Sequence, residues 1–392
     1  MPHLTTARNA VGLSFFLNGW VFASWVSRIP EARSSFALTN GQLGLLLLAI
    51  AVGSLMALPT TGAALDRWGT VRIVRFGAVA ASTGMTLAAL GLGEQLALTT
   101  VGLLLYGIGI GVWDVAMNVE GAEVERGLGR TIMPRFHAGF SAGTVVGALL
   151  GALLVELGVP ARLHLVAVVV VAVVTVWLTS SSFLPIAPRP EERTSAARAW
   201  LEPRTLLIGV MVLALATTEG TANDWLAVAL VDGHDVSAAV GVAGFAVFVV
   251  AMTLGRLAGT TLIDRFGRVT MLWGTMVAAG VGVLLIVLGS HPVVVVTGIV
   301  LWGAGASLGF PVGMSAAADD PARAAARVSV VSTIGYAAFL AGPPLLGFVG
   351  DEVGTLTALL VVAVLLVPAA LVVPAAREGQ VGERPVIPAP GA

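Results

Sequence analysis

The sequence LDRWGTVR at residues 65–72 places one aspartate and two arginines in a short turn between two long apolar segments. A related sequence, IDRFGRVT, occurs at residues 263–270, with its aspartate 198 residues further along the chain. Charged side chains are costly in hydrocarbon, so a charged turn that recurs between apolar segments predicts a loop at a membrane surface. The interval is half the chain, which predicts two related halves.

The rest of the chain is strongly apolar. Of its 392 residues, 57% are hydrophobic and 11% are charged, and the mean hydropathy is +0.95. Soluble globular domains carry about 25% charged residues, so this composition predicts a protein that lies in the lipid bilayer. The net charge of -1 offers no basic surface for polyphosphate, which disfavours a nucleic-acid partner.

Cysteine and lysine are both absent from the sequence. The first absence excludes disulfides, thiolate metal sites and a cysteine nucleophile. The second excludes a phosphate-binding lysine of the Walker type and a Schiff-base lysine. No nucleophile, base and orienting group occur at a recognisable spacing, so we expect no cofactor, no metal site and no enzymatic activity.

Twelve apolar segments are long enough to cross roughly 30 Å of hydrocarbon. The first lacks a small-residue cleavage site, which favours a retained helix over a signal peptide. The sequence therefore predicts an all-α membrane protein with twelve transmembrane helices in two pseudo-symmetric halves of six. We expect the halves at residues 1–184 and 204–376, a cytoplasmic linker at 185–203 and a flexible cytoplasmic tail at 377–392. The predicted segments are 10–28, 41–64, 73–93, 97–119, 136–157, 163–184, 204–231, 239–260, 269–289, 293–316, 328–349 and 354–375.

Arginine placement predicts the orientation, because cytoplasmic loops retain positive charge. With the N-terminus inside, only Arg28, Arg33 and Arg162 fall outside, and the other 18 of the 21 basic residues lie in cytoplasmic segments. The sequence therefore predicts a bacterial inner-membrane protein with both termini in the cytoplasm.

Two further pairs of segments recur at an interval of 196 residues. LLLYGIGIG at 103–111 is similar to IVLWGAGAS at 299–307, and GALLVELG at 151–158 is similar to GFVGDEVG at 347–354. Together with the repeated turn, they indicate that the two halves arose from one.

The repeated turn resembles the signature of the major facilitator superfamily, G-x-x-x-D-R-x-G-x-x-[RK]. The first copy matches at every position, whereas threonines replace the first glycine and the last basic residue of the second copy. FFLNGWVFASWVSRIPEAR and RFHAGFSAG further resemble a little-characterised bacterial branch of that superfamily, which includes the rhizopine-associated membrane protein. The matching residues of the turn are Gly62, Asp66, Arg67, Gly69 and Arg72 in the first copy and Asp264, Arg265 and Gly267 in the second.

The turn also has a physical interpretation. Glycine permits a tight bend, and a carboxylate held near the N-terminus of a helix, with an arginine partner, forms a charge latch that can break and re-form. In the superfamily this network stabilises one access state. The resemblance therefore implies that the turn is a gate and not a substrate site.

Three acidic residues fall well inside predicted spans, away from the ends: Asp114 in the fourth, and Glu219 and Asp224 in the seventh. An ionised side chain at mid-membrane costs roughly 2.5–3.5 kcal/mol, so each needs a reason. Asp114 lies four residues before Asn118, and Glu219 lies four before Asn223, so each acid shares a helix face with an amide. Because desolvation favours the protonated carboxyl group, these acids are the candidates for proton coupling.

Amides and indoles are the candidate substrate contacts, since an amide hydrogen-bonds a polar solute and an indole stacks on a sugar or a flat ring. Trp25 and Trp273 fit an interfacial belt better. His137 begins the fifth span and is a candidate for gating, whereas Arg256 is interpreted as a structural residue that extends outward to its loop. The first, fourth, seventh and tenth spans line the cavity in the superfamily, which implies one shared site. The candidates are Asn18, Trp20, Trp113, Asn118, Asn223, Trp225 and His137.

These features favour a secondary transporter that moves a small polar solute, with a sugar as one candidate, together with protons by alternating access. A monomer suffices, and its partners are the solute, protons and the bilayer. The alternative is a proton-coupled exporter of drugs or metabolites. Antiporter families usually carry a Gly-Pro pair in span five, and GTVVGALLGALL at 143–154 has no proline. A non-transporting receptor is a third interpretation, which the three intramembrane acids disfavour.

Overall fold

The computed structural model describes residues 2–129, 132–184, 196–320 and 323–377, and within these ranges all regular structure is helical. Short 3₁₀ helices at Ser180–Ser182 and Val373–Ala376 follow the sixth and last α-helices. The α-helices are α1 (Pro2–Val26), α2 (Ile29–Ser35), α3 (Asn40–Gly91), α4 (Leu96–Leu128), α5 (Met133–Glu156), α6 (Ala161–Thr179), α7 (Ala196–Ala199), α8 (Pro203–His234), α9 (Ala238–Phe266), α10 (Arg268–Leu288), α11 (Pro292–Ala306), α12 (Gly309–Ala317), α13 (Ala324–Val353), α14 (Thr355–Ala358) and α15 (Leu360–Val372).

Eleven helical stretches of the described residues are long and apolar enough to cross a membrane. One of them, α3, has 52 residues and contains two spans, because Gly69 interrupts it with φ 77° and ψ 161°. Glycine has no Cβ and adopts a positive φ without a steric cost. The twelve predicted spans are therefore present, and the turn LDRWGTVR lies at the break between the second and the third.

The two halves repeat each other in backbone detail. Gly267, between α9 and α10, has φ 79° and ψ 154°, nearly the conformation of Gly69. A Cβ on Gly84 of α3 would overlap the amide nitrogen of Tyr106, and a Cβ on Gly282 of α10 would lie 2.5 Å from the amide nitrogen of Trp302. Lipid tails are as apolar as side chains, so helices in a bilayer rely on such close contacts between small residues.

The first half contains α1 to α6 and the second contains α8 to α15. They meet mainly where α3 packs against α13 and α5 packs against α9. The predicted bounds of the halves remain predictions. Residues 185–195 of the linker and 378–392 of the tail lie outside the described residues.

The tenth span is broken at Ser307 and Leu308, between α11 and α12. The carbonyl of Ser307 lacks its helical partner because residue 311, four positions later, is a proline without an N–H. Arg256 of α9 donates from Nε to this carbonyl at 3.2 Å. An unpaired carbonyl in hydrocarbon costs several kcal/mol, so this hydrogen bond stabilises the break.

Candidate functional site

A cavity of about 330 Å³ lies between the two halves. Its walls come from α1, α3, α4 and α5 of the first half and from α8 and α13 of the second. This volume is at the lower end of the range for small-molecule sites. Five of the residues predicted from the sequence line it together: Asn18, Asp114, Glu219, Asn223 and Asp224.

Asp114 of α4 is held by the amide one helical turn further along. Asn118 donates from Nδ2 to the Asp114 carboxylate at 3.3 Å and to the Asp114 carbonyl at 2.9 Å. Asn118 does not itself line the cavity. It therefore acts as a support for Asp114 and not as a solute contact in this conformation.

Glu219 of α8 forms an ion pair with Arg256 of α9. Nη2 of Arg256 lies 3.0 Å from one carboxylate oxygen and 2.8 Å from the other. The expectation that Arg256 extends outward to its loop is wrong, because Glu219 and the free carbonyl of Ser307 both hold its guanidinium inside the half. The charge of Glu219 is thus compensated within the second half.

Asp224 lies five residues after Glu219, which is about 7.5 Å further along the axis of α8. It makes no hydrogen bond or ion pair with any described residue. The described residues that line the cavity include no arginine, lysine or histidine. The carboxylates of Asp114 and Asp224 therefore face the cavity without a cationic partner.

Three residues that line the cavity carry a buried donor without an acceptor among the described residues: Nδ2 of Asn18, Nε1 of Trp25 and Oη of Tyr106. Buried polar groups nearly always have a hydrogen-bond partner, so unpaired donors in three cavity-lining residues are exceptional. The assignment of Trp25 to an interfacial belt is wrong, since it is 1% exposed. Trp273, at 51% exposed, has the exposure that a belt requires.

Four candidate residues pack away from the cavity. Trp113 donates from Nε1 to Oγ of Ser14 at 2.8 Å inside the first half. Trp225 is fully buried in the second half, and Trp20 lies against α5. His137 packs edge-on against a phenylalanine of α1, with the ring centroids 5.2 Å apart. These side chains support the helix packing that shapes the cavity.

Aromatic residues outside the predicted set complete the cavity. The chain has two tyrosines, Tyr106 and Tyr336, and both line the cavity. This rarity was a signal in the sequence that spacing arguments did not use. The lining comes from the first, second, fourth, fifth, seventh and eleventh spans, whereas the resemblance implied the first, fourth, seventh and tenth. In this conformation no described residue of the tenth span lines the cavity, and the eleventh span supplies Tyr336, Phe339 and Pro343.

The interface between the halves has a rim at each end of the helices. We call the rim that carries the turns at Gly69 and Gly267 the arginine-rich rim, and the rim at the other end of the helices the opposite rim. Within the described residues, four hydrogen bonds join the halves at the opposite rim. They run from Arg33 to Asp232, from the amides of Asn40 and Gly41 to Asp351 at 2.7 and 2.8 Å, and from Thr355 to Asn40 at 3.1 Å.

Asp351 accepts two backbone hydrogen bonds because it lies at the N-terminus of α3. The first amides of α3 have no partner inside their helix, and the helix dipole favours a negative charge there. The carboxylate of Asp351, from the end of α13, satisfies both amides across the interface. One turn further along α3, a Cβ on Gly44 would lie 2.5 Å from the carbonyl oxygen of Pro343. The halves are therefore in close contact at this rim.

The charged side chains of the turn that match the signature are exposed at the arginine-rich rim: Asp66, Arg67, Arg72, Asp264 and Arg265. Within the described residues, none of them makes a hydrogen bond or an ion pair with the other half. Arg67 and Arg265 instead lie over the rings of their neighbours, Trp68 and Phe266. The predicted charge latch of Asp66 is thus not formed in this conformation.

Comparison with known proteins gives a consistent set of relatives. A sequence model described as Major Facilitator Superfamily matches residues 220–390. The chain is 33% identical to an uncharacterized MFS-type transporter of Yersinia pestis, over 90% of this chain and 91% of that protein. It is 32% identical to an uncharacterized transporter of Sinorhizobium fredii, over 93% and 96%. It is 26% identical to the membrane protein MosC of Rhizobium meliloti, over 90% and 86%.

Solved structures share the fold at low sequence identity. The nucleoside transporter NupG has a TM-score of 0.76 at 15% identity, over 94% of this chain and 98% of that one. A bacterial homolog to the human lysosomal transporter Spinster, inward-facing and unoccupied, has a TM-score of 0.75 at 16% identity, over 96% and 97%. FucP in the outward conformation has a TM-score of 0.65 at 18% identity, over 95% and 99%.

Proposed function

Since the chain belongs to the major facilitator superfamily of transporters, we propose that it moves a small polar solute across the bacterial inner membrane by proton-coupled alternating access. The observation that carries this proposal is a cavity with acidic and amide side chains in its lining, between two halves that are bonded at one rim and unlatched at the other. Alternating access requires a central site whose two ends open in turn. The retention of positive charge on the cytoplasmic side supports a cytoplasmic position for the arginine-rich rim.

Asp114 and Asp224 are the proton carriers in this proposal. Both carboxylates line the cavity, and neither has a cationic partner among the described residues. An ionised carboxylate is costly to desolvate. We therefore expect each of these groups to hold a proton when the cavity is closed to water and to release it when water enters. Glu219 already has Arg256 as its partner and serves to hold α8 against α9.

The proposed direction of coupling is symport. It is supported by the fifth span, α5, which has no proline after Pro134 near its start and so lacks the Gly-Pro pair that is usual in antiporters of the superfamily. The solute and the proton then enter together from the opposite rim and leave at the arginine-rich rim.

The test is the external pH of a lightly buffered suspension of cells that overproduce the protein, recorded while pools of sugars, polyols, amines and drugs are added. We expect one pool to make the medium alkaline, and we expect Asp114→Asn and Asp224→Asn to abolish that signal. Asp235→Asn is the matched control, because Asp235 is exposed and does not line the cavity.

Other outcomes would contradict parts of the proposal. Acidification of the medium when a pool is added would indicate that the protein is an antiporter and not a symporter. Solute binding without solute flow in sealed vesicles would favour a receptor. An alkaline signal that survives in both Asp114→Asn and Asp224→Asn would remove these residues as the proton carriers.

A further inference from the structure

The charge of the cavity bears on the class of solute, an inference that rests on the proposed transport function. Asp114 and Asp224 face the cavity, and the described lining residues include no basic side chain. The Glu219–Arg256 pair adds no net charge. An anionic solute would be repelled here, and a neutral solute could bind only with a proton on each carboxylate, because an ionised carboxylate is costly to desolvate without a partner.

Aromatic rings surround the same space. The face of an aromatic ring attracts a cation within about 6 Å of its centroid, and this attraction strengthens when the pair is removed from water. Rings around carboxylates form a site that favours an ammonium group over a neutral group of equal shape. The lining rings belong to Phe22, Trp25, Tyr106, Phe140, Tyr336 and Phe339.

The unpartnered donors add a second requirement. Asn18, Trp25 and Tyr106 are 2%, 1% and 0% exposed, each lines this cavity, and each has a buried donor without an acceptor among the described residues. Carboxylates satisfy an ammonium group but an ammonium group accepts no hydrogen bond. A solute that fits both sets of groups therefore carries an oxygen acceptor in addition to its positive charge.

We propose that the cavity binds a small organic cation that also carries a hydroxyl group. The carboxylates of Asp114 and Asp224 recognise the ammonium group, and the donors of Asn18, Trp25 and Tyr106 recognise the hydroxyl oxygen. Because there are two carboxylates, one can bind the cation while the other binds the coupled proton. The site thus accommodates both transported species at once.

A matched pair of probes tests this proposal: choline and 3,3-dimethylbutan-1-ol, in which carbon replaces the charged nitrogen in the same shape. Both are titrated against the purified full-length protein, and thermal unfolding is recorded, because a ligand that binds only the folded state raises the unfolding temperature with its concentration. We expect choline to stabilise the protein at concentrations at least tenfold lower than the alcohol. This comparison uses the wild-type protein and so does not depend on a variant that folds.

Variants then locate the site. We expect Asp114→Asn and Asp224→Asn each to weaken the choline effect at least tenfold, and Asp235→Asn to leave it unchanged. Unfolding of each variant without a probe gives its own baseline. Equal stabilisation by the two probes, no stabilisation by choline, or an effect of choline that persists in both Asp114→Asn and Asp224→Asn would overturn the proposal.

Failure of this inference is distinguishable from failure of the transport function. If a neutral sugar or polyol drives alkalinisation that Asp114→Asn abolishes, transport stands and the cationic class is overturned. If choline binds as expected but sealed vesicles show neither solute uptake nor proton movement, the cation site stands and the transport proposal is overturned.

Discussion

Asp351 and Asp66 are acidic residues at opposite ends of the interface between the halves, yet their surroundings differ. Asp351 accepts hydrogen bonds from the amides of Asn40 and Gly41 in the other half. Asp66 is exposed and has no hydrogen bond or ion pair among the described residues. Among the described residues, the hydrogen bonds that join the halves therefore lie at the opposite rim.

The arginine-rich rim also has hydrogen bonds and ion pairs that join residues of the same half. In the first half, Glu120 accepts from the hydroxyl of Thr70 at 2.7 Å and from the amide of Leu184 at 2.5 Å. In the second half, Asp319 pairs with Arg204 at 2.7 Å and with Arg268 at 3.0 Å. The bonds at this rim therefore stabilise the two halves, whereas the bonds at the opposite rim stabilise one arrangement of the halves.

The largest expected effect comes from breaking the close contact at the opposite rim with Gly44→Val. A Cβ there would lie 2.5 Å from the carbonyl oxygen of Pro343, and added side-chain atoms in a well-packed contact cost about 1–3 kcal/mol. We expect the opposite rim to open and transport to fall by roughly fivefold to 150-fold, as that cost implies. Spin labels attached at Glu94→Cys and Glu352→Cys measure the distance between the two halves at this rim. Both positions are exposed, and the chain has no native cysteine.

Gly274→Val is the control for this change, because a Cβ at Gly274 meets no atom within 4 Å. We expect the control to leave both transport and the distance between labels unchanged. A distance that stays the same in Gly44→Val would show that the contact does not hold the rim closed.

A smaller effect is expected from Asp351→Asn, which removes the charge at the N-terminus of α3. Loss of an interaction of this kind costs about 1 kcal/mol, so the population shifts roughly fivefold toward separation at the opposite rim. The same pair of spin labels reports this shift as a change in the distance distribution.

Asp66→Asn is the matched substitution at the arginine-rich rim. Asp66 has no partner in this conformation, so we expect no shift toward separation at the opposite rim. If its charge latch forms only in the other access state, the variant shifts the population toward the conformation described. Equal shifts from Asp66→Asn and Asp351→Asn would contradict the difference between the rims.

The smallest effect is expected from Glu202→Gln, which weakens bonds within the second half. The hydrogen bond from Nε of Arg327, at 2.6 Å, lowers the pKa of Glu202 below its ordinary value. A carboxyl group with a lowered pKa stabilises the folded state at neutral pH, and this contribution is lost as the pH falls through that lowered pKa. The pair is partly exposed, so it contributes at most about 1 kcal/mol.

Thermal unfolding of wild type and Glu202→Gln across pH checks this expectation. The wild type unfolds at the higher temperature at pH 7, and the difference narrows below the ordinary glutamate pKa of about 4.3. The distance between spin labels stays the same, because Glu202 acts within one half. A difference that is constant with pH would exclude ionisation of Glu202 as its cause.

Most of the fold followed from the sequence. Apolar segments of membrane length gave the twelve spans, and the turn with Gly69 and its repeat with Gly267 gave the two halves. These features are local, since each depends on hydrophobicity or on the backbone of one residue. The family was also indicated by the turn, and the relatives confirm it.

The site followed less completely, because helical spacing says which residues share a face but not what that face meets. Asp114, Glu219 and Asp224 reach the cavity together with Asn18. Trp113 satisfies the same spacing yet packs against Ser14. The partner of Glu219 was missed because the position of Arg256 is set by contacts with two other helices, which no spacing within one helix reveals.

The Ser307 carbonyl has an evolutionary consequence. Proline at 311 removes the amide that would bond this carbonyl, and the guanidinium of Arg256 replaces it. A lineage that exchanges the proline for an ordinary residue regains the amide and loosens the requirement for arginine at 256. That arginine also neutralises Glu219, so its loss would leave the glutamate unopposed. Positions 219, 256 and 311 should therefore be inherited and replaced as a set, although almost a hundred residues separate the first from the last.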